Sequence, residues 1–380
     1  MKFKVERDVL ADAVAWAARS LPSRPPLPVL AGVLMETGPH GITLSSFDYE
    51  VSARVEARAE VADEGRALVS GRLLADIARS LPDRPVELAM DGAKVVLTCG
   101  SARFTLMTLP VDDYPSLPTM PSASGSISGD LLAAAVGQVA VAAGRDDTLP
   151  VLTGVRVEIE GETVTLAATD RYRLAIRELT WKPEQGGLSA VALVPARTLA
   201  ETAKALAASG DVTIALAASG GVGDGLMGFE GGGRQTTTRL LEGEFPKYRS
   251  LLPSESASVA TVETAPFVEA VKRVALVAER NTPIRLAFSA GEVVLEAGAG
   301  DEAQASEAMP ADLTGAEISI AFNPGYLLDG LGAIAASHAQ LAFTTPSKPA
   351  VITPGPSESS GDSEPDADYR YLIMPVRLSG

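Results

Sequence analysis

Cysteine and histidine are nearly missing from this chain of 380 residues. The single cysteine, Cys99, excludes an intrachain disulfide and a metal site built from cysteines, and it fits a reducing compartment. The two histidines, His40 and His338, leave little room for imidazole chemistry. We expect His40 to lie in a surface turn between Pro39 and Gly41, and His338 to lie on the surface near the end of a helix.

Long apolar runs are missing as well. Charged residues or prolines interrupt the apolar stretches before the ~18 residues that a membrane span requires. The N-terminal segment Met1–Arg7 carries charge where a signal peptide needs an apolar stretch. The sequence therefore predicts a cytoplasmic protein without a membrane segment.

Positive charge is scarce. Lys and Arg number 32 against 48 Asp and Glu, which gives a formal net charge of −16, so the average surface should bind nucleic acid poorly. A local basic surface can still coexist with an acidic exterior. Hydrophobic residues make up 46% of the chain, which is enough for a large core. The length allows about two to four domains.

Motifs for catalysis or cofactor binding are weak. Gly223–Gly228 fits the G-x-G-x-x-G pattern of dinucleotide sites, but it lies in the glycine-rich stretch Ser219–Arg234 with no helical pattern after it. A hairpin loop explains this stretch better. The densest run of carboxylates, Glu358–Asp368, is rich in Ser, Gly and Pro and predicts a solvated loop. The sequence contains no P-loop motif and no convergent catalytic set, so we expect neither an enzyme nor a cofactor.

An internal repeat is the most informative feature of the chain. Three pairs of similar segments recur at a constant spacing of 122 residues: Asp8–Ala11 and Asp130–Ala133, Leu27–Leu30 and Leu149–Leu152, and Thr43–Asp48 and Thr165–Asp170. A second motif occurs three times, at Val69–Ala78, Val194–Ala203 and Phe322–Leu331. Each copy of the second motif predicts a short strand, a turn and an amphipathic helix.

The repeats define an expected domain organisation. Pro121–Ser126 and Pro253–Ser258 are rich in Ser and Pro, as domain joints usually are. We therefore expect three similar domains, residues 1–121, 122–253 and 254–380. Helices that separate runs of short strands favour an α+β class with antiparallel sheets over a doubly wound parallel fold. The predicted helices span residues 7–20, 72–81, 130–141, 197–206, 266–280 and 324–337, and the alternation in Tyr371–Leu378 predicts a C-terminal strand.

Several segments resemble the β sliding clamps of bacterial DNA polymerase III, in particular those of actinobacteria. The most specific are the Thr-Asp-x-x-Arg-Leu-Ala pattern of Thr169–Ala175 and the tail Met374–Leu378. The resemblance covers essentially the whole chain and also includes Met1–Phe3, Arg24–Leu30, Phe104–Pro115 and Leu241–Arg249.

The resemblance implies a fold and a function. Three similar clamp domains per chain would pair head to tail with a second chain, forming a homodimeric ring with helices around a central channel and sheets outside. The protein would be a non-catalytic processivity factor that encircles double-stranded DNA without reading its sequence. Its implied partners are the replicative DNA polymerase, the clamp loader and other proteins with a clamp-binding motif.

The resemblance also assigns three sets of residues. A pocket for client peptides between the second and third domains would be lined by Leu152, Thr169, Arg171, Tyr172, Arg173, Leu174, Pro246, Leu251, Met374, Pro375, Val376 and Arg377, with Arg173 and Arg377 available for peptide carbonyls or carboxylates. The DNA channel would carry Arg24, Arg72, Arg79, Arg197, Lys204, Lys272, Arg273 and Arg280. The dimer interface would contain Phe104, Leu106, Leu276 and Val277. Taken without the resemblance, these cations are equally typical of a solvated helix face, and each apolar residue is more often core.

Some positions depart from the family pattern. Ser250 stands where a basic pocket residue is familiar, and Arg171 stands where glycine also occurs, which would narrow the mouth of the groove. The acidic loop at Glu358–Asp368 is longer than usual. A second hypothesis remains, an enzyme or ligand-binding protein that uses the loop at Ser219–Arg234. The sequence also leaves open whether the chain is a housekeeping clamp or a specialised copy that protects its host against a clamp-directed antibiotic.

Overall fold

The computed structural model describes residues 1–216, 225–278, 282–298, 303–356 and 368–377. These residues form strands β1 (Lys2–Val5), β2 (Gly32–Gly38), β3 (Gly41–Phe47), β4 (Val51–Ala57), β5 (Glu60–Asp63), β6 (Gly65–Ser70), β7 (Val86–Asp91), β8 (Lys94–Cys99), β9 (Ala102–Leu109), β10 (Ala123–Ser128), β11 (Gly154–Glu160), β12 (Thr163–Thr169), β13 (Arg173–Thr180), β14 (Lys182–Pro183), β15 (Ser189–Pro195), β16 (Asp211–Leu216), β17 (Leu226–Gly231), β18 (Arg234–Arg239), β19 (Ser258–Glu263), β20 (Ile284–Ser289), β21 (Gly291–Ala297), β22 (Ala305–Gly315), β23 (Ile318–Phe322), β24 (His338–Phe343), β25 (Ala350–Pro354) and β26 (Tyr369–Ile373). The α-helices are α1 (Arg7–Ala17), α2 (Gly71–Ser80), α3 (Gly129–Ala140), α4 (Ala196–Leu206), α5 (Thr264–Val274) and α6 (Pro324–Gly332).

The chain divides into two compact units. The first unit comprises Met1–Asp130, Lys182–Gln185 and Ala205–Leu240, and the second comprises Leu131–Trp181, Gly186–Lys204 and Leu241–Gly380. No helix in the described part of the chain is long and apolar enough to cross a membrane.

The first unit is built on one 14-stranded sheet. Its strand order is β14-β10-β16-β17-β18-β4-β3-β2-β6-β9-β8-β7-β1-β5. Helix α1 buries Leu10, Ala13, Val14 and Ala17, which recur at helical spacing, and it packs against α2 and β4. Trp16 donates its indole N–H to the carbonyl oxygen of Arg54 on β4 at 3.0 Å.

The second unit contains a 12-stranded sheet. Its strand order is β15-β11-β12-β13-β26-β25-β24-β19-β22-β21-β20-β23. Helices α5 and α6 contact each other, and α5 buries Phe267, Ala270, Val271 and Val274. The pairings in both sheets are antiparallel, as in β11–β12 and β24–β25, so the predicted α+β class with antiparallel sheets is confirmed.

The two sheets contain the same kind of joint between repeats. In the first unit, β4 pairs with β18, from Val51 opposite Thr238 to Val55 opposite Arg234. In the second unit, β13 pairs with β26 in the same antiparallel sense. Strands β4 and β13 are equivalent, because they are related by the 122-residue spacing. The same strand of each repeat therefore pairs with a strand of the next repeat, first in β4–β18 and then in β13–β26.

Two other strands leave most of one edge unpaired within the described ranges. Residues Ala102–Met107 of β9 pair only with β8, and β6 joins at Thr108 and Leu109. Residues Ala305–Ala311 of β22 pair only with β21, and β19 joins from Asp312 onward. Unpaired edges of this kind are open to another strand.

Several expected element boundaries are wrong. Strands β6, β15 and β23 lead into α2, α4 and α6 without the expected turn. Helix α5 is expected over residues 266–280, but it ends at Val274 and a single 3₁₀ turn follows. Pro283 further along the chain disfavours a helical backbone at the residue before it. Helix α6 ends at Gly332, which has low helix propensity, and not at Ser337.

Two further expectations concern strand ends. His338 begins β24 and does not lie at a helix end, whereas His40 lies in the expected turn. The C-terminal strand β26 ends at Ile373, and residues 374–377 leave the sheet because Pro375 has no N–H to donate to a ladder. Cys99 is a buried free thiol at the end of β8.

Candidate functional site

The turn between β12 and β13 is fixed by its own hydrogen bonds. Asp170 Oδ1 accepts hydrogen bonds from the backbone N–H groups of Tyr172 and Arg173 at 3.0 and 3.1 Å. Thr169 Oγ1 donates to the carbonyl oxygen of Arg173 at 2.6 Å and accepts from the N–H of Arg171 at 3.2 Å. Arg171 takes a φ of 80°, in the left-handed region. The turn therefore exposes Arg171 and Tyr172 and directs Arg173 inward.

Arg173 is held by charges on two sides. Its residue is 5% exposed, its Nε bonds Asp170 Oδ2 at 3.0 Å, and an Nη bonds Asp329 of α6. The guanidinium also lies 4.4 Å from the ring centroid of Tyr326. Burial opposes its charge, but Tyr371, Asp329 and Asp170 raise the pKa of Arg173 above its usual range. In the chain by itself, Arg173 is enclosed and paired with these partners, so its availability to a peptide stays a prediction.

A cavity of about 590 Å³ opens beside this turn. Apolar surface comes from Leu149 and Leu152, and Tyr172 stacks on Tyr326 with ring centroids 6.3 Å apart. The complete lining is Ala143, Gly144, Arg145, Asp146, Leu149, Leu152, Asp170, Arg171, Tyr172, Arg173, Asn323, Gly325, Tyr326 and Asp329. Leu152, Arg171, Tyr172 and Arg173, four of the residues that the resemblance assigns to the client pocket, thus line one cavity.

The loop at one side of the cavity is also ordered by local contacts. Gly144 donates its N–H to the carbonyl oxygen of Leu152 at 2.7 Å. Asp146 accepts hydrogen bonds from the hydroxyl and the N–H of Thr148, which lower the pKa of its carboxyl. These contacts place Leu149 beside the turn.

The helix α6 supplies a wall that the sequence-based residue set missed. Asn323 caps the helix by accepting a hydrogen bond from the N–H of Tyr326 at 3.1 Å, and Pro324 occupies the first helical position. Tyr326 and Asp329 then lie one turn apart, where both reach Arg173. The Asn-Pro pair signals a helix start in the sequence, but nothing in the sequence links this helix to the turn.

The C-terminal tail is hydrogen-bonded to the same turn and to β23. Met374 donates its N–H to the carbonyl oxygen of Tyr172, and Val376 donates to that of Ala321, each at 2.8 Å. The side chains of Met374 and Val376 are partly exposed, as are Pro375 and Arg377. The tail can therefore present apolar surface beside Tyr172.

Other predicted pocket residues are more enclosed. Leu174 is buried in a core cluster with Phe245, Tyr248 and Leu372, so its side chain offers almost no surface to a bound peptide in this structure. Thr169 is buried as well, whereas Leu251 is 50% exposed. Pro246 lies between these extremes.

The predicted channel cations are exposed but largely paired. Arg24, Arg72, Arg79, Arg197, Lys204, Lys272 and Arg273 are all exposed, and Arg280 lies outside the described residues. Arg197 Nε bonds Glu201 at 3.0 Å, and Lys272 bonds Glu269 at 2.8 Å and lowers the pKa of that carboxyl. Arg273 bonds Glu307 at 2.5 Å, and Arg79 lies 3.8 Å from Asp76. Much of this positive charge is therefore offset locally.

The predicted interface residues differ in exposure. Leu276 is 84% exposed, and Phe104 and Val277 are half-buried. Leu106 is only 2% exposed, so it belongs to the core of the first unit and offers little surface to a partner. Its inward position follows from β9, where Leu106 alternates with the exposed Met107.

The remaining motifs give no site. Gly223 and Asp224 of the G-x-G-x-x-G motif lie outside the described residues, as do residues 358–367 of the acidic run. Gly228 lies in β17, so the motif leads into a strand and not into a helix. Within the described ranges, no group of three His, Cys, Asp or Glu side chains is arranged to hold a metal ion.

Comparisons with known proteins agree along the whole chain. Models of the N-terminal, central and C-terminal domains of the DNA polymerase III beta subunit match residues 1–118, 126–247 and 249–377. The chain is 64% identical over 380 residues to the beta sliding clamp of Streptomyces coelicolor, with both chains fully covered. It is 51% identical over 378 residues to the beta sliding clamp homolog GriR of Streptomyces muensis, again with full coverage.

Solved structures give the same result for the fold. A sliding clamp from Pseudomonas aeruginosa bound to griselimycin has a TM-score of 0.90 and 28% identity, with both chains fully covered. The clamp from Bacillus subtilis has a TM-score of 0.90 and 25% identity over the same coverage. The turn, the cavity and the repeated strand joints described above thus lie in a chain that belongs to the family of the DNA polymerase III beta subunit, the bacterial β sliding clamps.

Proposed function

We propose that two copies of this chain close into a ring around duplex DNA, and that the ring tethers the replicative polymerase through the cavity beside the turn at Thr169–Arg173. The repeated joint carries the proposal: β4 pairs with β18 and β13 pairs with β26, each joining one repeat to the next. A heterologous contact that recurs with the right rotation closes into a ring. The third repeat would complete the series with β22.

The unpaired edges are the counterparts of these joint strands. Strand β9 occupies the position in the first repeat that β18 and β26 occupy in the next two, and its residues Ala102–Met107 have one free edge. Strand β22 follows β21 as β4 follows β3, and its residues Ala305–Ala311 have one free edge. Pairing β22 of one chain with β9 of the next would cover both edges.

The repeat also predicts the register of that pairing. Counted from the two-residue turns at residues 39–40, 161–162 and 290–291, Ser46, Ala168 and Ala297 are equivalent positions. Their partners on the next strand are Ala53, Ala175 and Ala305, which are therefore counterparts. Ala53 pairs with Thr236 of β18, and Ala175 pairs with Tyr371 of β26. Phe104 is the residue of β9 that corresponds to Thr236, since each is the third residue of its strand. Ala305 should therefore face Phe104 of the partner subunit, and Ser306 should face Arg103.

A cysteine pair tests the ring. The double variant Arg103→Cys, Ser306→Cys places cysteines at these two opposed positions. The Cα atoms of opposed residues in an antiparallel pair lie about 4.5–5.5 Å apart, which is within the range that a disulfide can bridge. Oxidation should give a covalent dimer in the double variant and none in either single variant, since native Cys99 is buried. After loading onto nicked circular DNA and oxidation, the ring should survive a high-salt wash and leave when the DNA is linearised. Equal retention on linear and circular DNA would refute encirclement.

Binding to DNA would be electrostatic and independent of sequence. The exposed cations on α2, α4 and α5 can meet phosphates without contacting base edges. Their carboxylate neighbours, including Glu201 and Glu269, and the net charge of −16 make direct affinity weak. Retention then depends on the closed ring, and tethering raises the effective concentration of the polymerase at its template.

The tail tests the client pocket. Removing residues 374–380 should abolish binding of a fluorescent peptide from the C-terminus of the replicative polymerase, because Met374 is bonded to the turn at Tyr172 and the tail presents the exposed side chains of Met374 and Val376. Fluorescence anisotropy measures the binding, and sedimentation should still find a dimer. Griselimycin, which is bound in the Pseudomonas aeruginosa clamp structure, should displace the peptide from the intact protein. Unchanged peptide affinity after truncation would place the client site elsewhere.

The remaining assignments follow from this function. We infer that the clamp loader and other clamp-binding proteins share the cavity, and that the protein works in the cytoplasm with the replicated chromosome. The three domains would span residues 1–121, 122–253 and 254–380, which the serine- and proline-rich segments at Pro121–Ser126 and Pro253–Ser258 support.

A further inference from the structure

Glu158 on β11 holds a buried negative charge outside the cavity lining. The residue is 5% exposed, and its carboxylate accepts hydrogen bonds from Arg156 at 2.5 Å, Tyr248 at 2.9 Å and Arg249 at 2.6 Å. Burial alone would raise the pKa of this carboxyl, but the three hydrogen bonds together hold it below its usual range. The carboxylate therefore remains ionised and saturated with donors at neutral pH.

The donors Tyr248 and Arg249 belong to one short segment. Tyr248–Leu251 forms a 3₁₀ turn, and the ring of Tyr248 packs edge-on against Phe245 with centroids 6.2 Å apart. Tyr248 also joins the core cluster of Leu174, the residue that follows Arg173 in β13. Glu158 on β11 thus binds the Tyr248–Leu251 turn to the sheet through two of its residues, whereas Leu251 at the end of that turn is half-exposed.

The other repeats lack this arrangement. Glu36 is the counterpart of Glu158 at the 122-residue spacing, but its side chain is 40% exposed and it bonds Arg66 of the neighbouring strand at 2.8 Å. The counterpart in the third repeat, counted from the same two-residue turn, is Ala287. The buried carboxylate occurs in the repeat that carries the cavity, although a buried charge is costly and an apolar residue at this position would pack more simply.

We propose that Glu158 is a positioning residue for the client pocket: its carboxylate fixes the Tyr248–Leu251 turn, and with it Leu251, which the clamp resemblance assigns to the peptide groove beyond the cavity lining described above. The inference rests on the proposed function, since it concerns the same pocket. A carboxylate suits this task because both of its oxygens only accept hydrogen bonds. The amide of glutamine would turn an NH₂ group toward a guanidinium or the tyrosine hydroxyl and release part of the turn.

The variant Glu158→Gln tests this role in the full-length dimer. With the polymerase peptide as the probe, anisotropy should give binding about tenfold weaker than that of the unchanged protein. The matched control Glu36→Gln alters the equivalent position of the first repeat and should leave the affinity unchanged. Arg249→Met removes one donor from an exposed side chain and should weaken binding about threefold even if Glu158→Gln does not fold.

A double-mutant cycle separates positioning from general stability. If Glu158 acts through Leu251, then Leu251→Ala combined with Glu158→Gln, or with Arg249→Met, should bind no more weakly than Leu251→Ala alone. Losses that multiply, or affinities of both single variants within about twofold of the original, would overturn the inference. Failure of the unchanged protein to bind the peptide would instead overturn the proposed client pocket.

Discussion

The first and second repeats contain the same turn in two different surroundings. Asp48 accepts hydrogen bonds from the N–H groups of Glu50 and Val51 at 2.9 and 2.7 Å, as Asp170 does from Tyr172 and Arg173. The residue after each aspartate, Tyr49 or Arg171, has a positive φ of 76° or 80°. The backbone of the turn is therefore a property of the repeat and does not by itself make a binding site.

What covers the turn differs between the repeats. Leu30 of the first repeat is fully buried, because Leu109, Val111 and Tyr114 of its own unit pack against its cluster. Its counterpart Leu152 is only half-buried and lines the cavity. Burial raises the pKa of Tyr114 to about 12, as expected for a phenol in an apolar place. The first repeat fills its own groove, and the second leaves the groove open.

The charge inside the turn differs as well. Arg173 of the second repeat corresponds to Val51 of the first, so a buried cation paired with Asp170 and Asp329 stands where the first repeat has an apolar side chain. The ion pair with Asp329 joins α6 to the turn, and Tyr326 of α6 stacks on Tyr172 at the cavity. A scaffold shared by repeats thus becomes a pocket through a few residues, among them the cation that joins α6 to the turn.

Replacing Arg173 by the residue of the first repeat should have the largest effect. Arg173→Val leaves the enclosed Asp170 carboxylate without its cation and should destabilise the second unit by about 3 kcal/mol, with loss of peptide binding. Trp181 lies in the second unit and Trp16 in the first, so denaturation of a Trp16→Phe background followed by fluorescence reports this unit. The control Arg54→Val alters an exposed pair of the first unit and, read from Trp16 in a Trp181→Phe background, should cost less than about 1 kcal/mol. A similar small loss for Arg173→Val would contradict the assigned role.

The matched leucines should separate stability from binding. Leu30→Ala empties a fully buried site and should cost about 3 kcal/mol in the first unit, read from Trp16, without changing peptide affinity. Leu152→Ala should cost about 1 kcal/mol or less, because the residue is half-exposed, yet it should weaken the peptide about tenfold. Equal effects of the two substitutions on peptide binding would mean that the first repeat is also a client site.

The sequence predicted the scaffold better than the site. The 122-residue spacing and the alternating strands are local patterns, so the antiparallel α+β class and the shared turn could be inferred from them. Leu30 is covered by a segment some 80 residues further along the chain, and Leu152 has no such cover in its cavity. No local sequence pattern encodes this difference in burial between the two leucines. The same holds for Leu106, whose strand pattern fits a core or an interface equally well until its burial is known.

The missed residues have the same origin. Asn323, Tyr326 and Asp329 reach the turn only because α6 packs beside it, more than 150 residues further along the chain. Arg173 looked free in the sequence because its partner Asp329 belongs to another repeat. Ends of helices were missed where a 3₁₀ turn or a glycine, and not a proline, stops the helix, as at Ala275 and Gly332.

The smallest expected effect compares the two residues with positive φ. Arg171→Gly relieves a left-handed conformation that a side chain disfavours, so it should stabilise the second unit by about 0.5–1 kcal/mol. Tyr49→Gly gains the same relief in the first unit but loses the ring contact with Phe47 at 5.5 Å, so its net change should be near zero. Urea denaturation read from Trp181 and Trp16 measures each unit separately.

Because Arg171 also lines the cavity, removing its side chain should widen the mouth of the cavity and change the affinity for the peptide, whereas Tyr49→Gly should leave that affinity unchanged. If both glycine variants shift stability and binding alike, the two turns are equivalent in function as well as in backbone, and the contrast between a filled and an open groove fails.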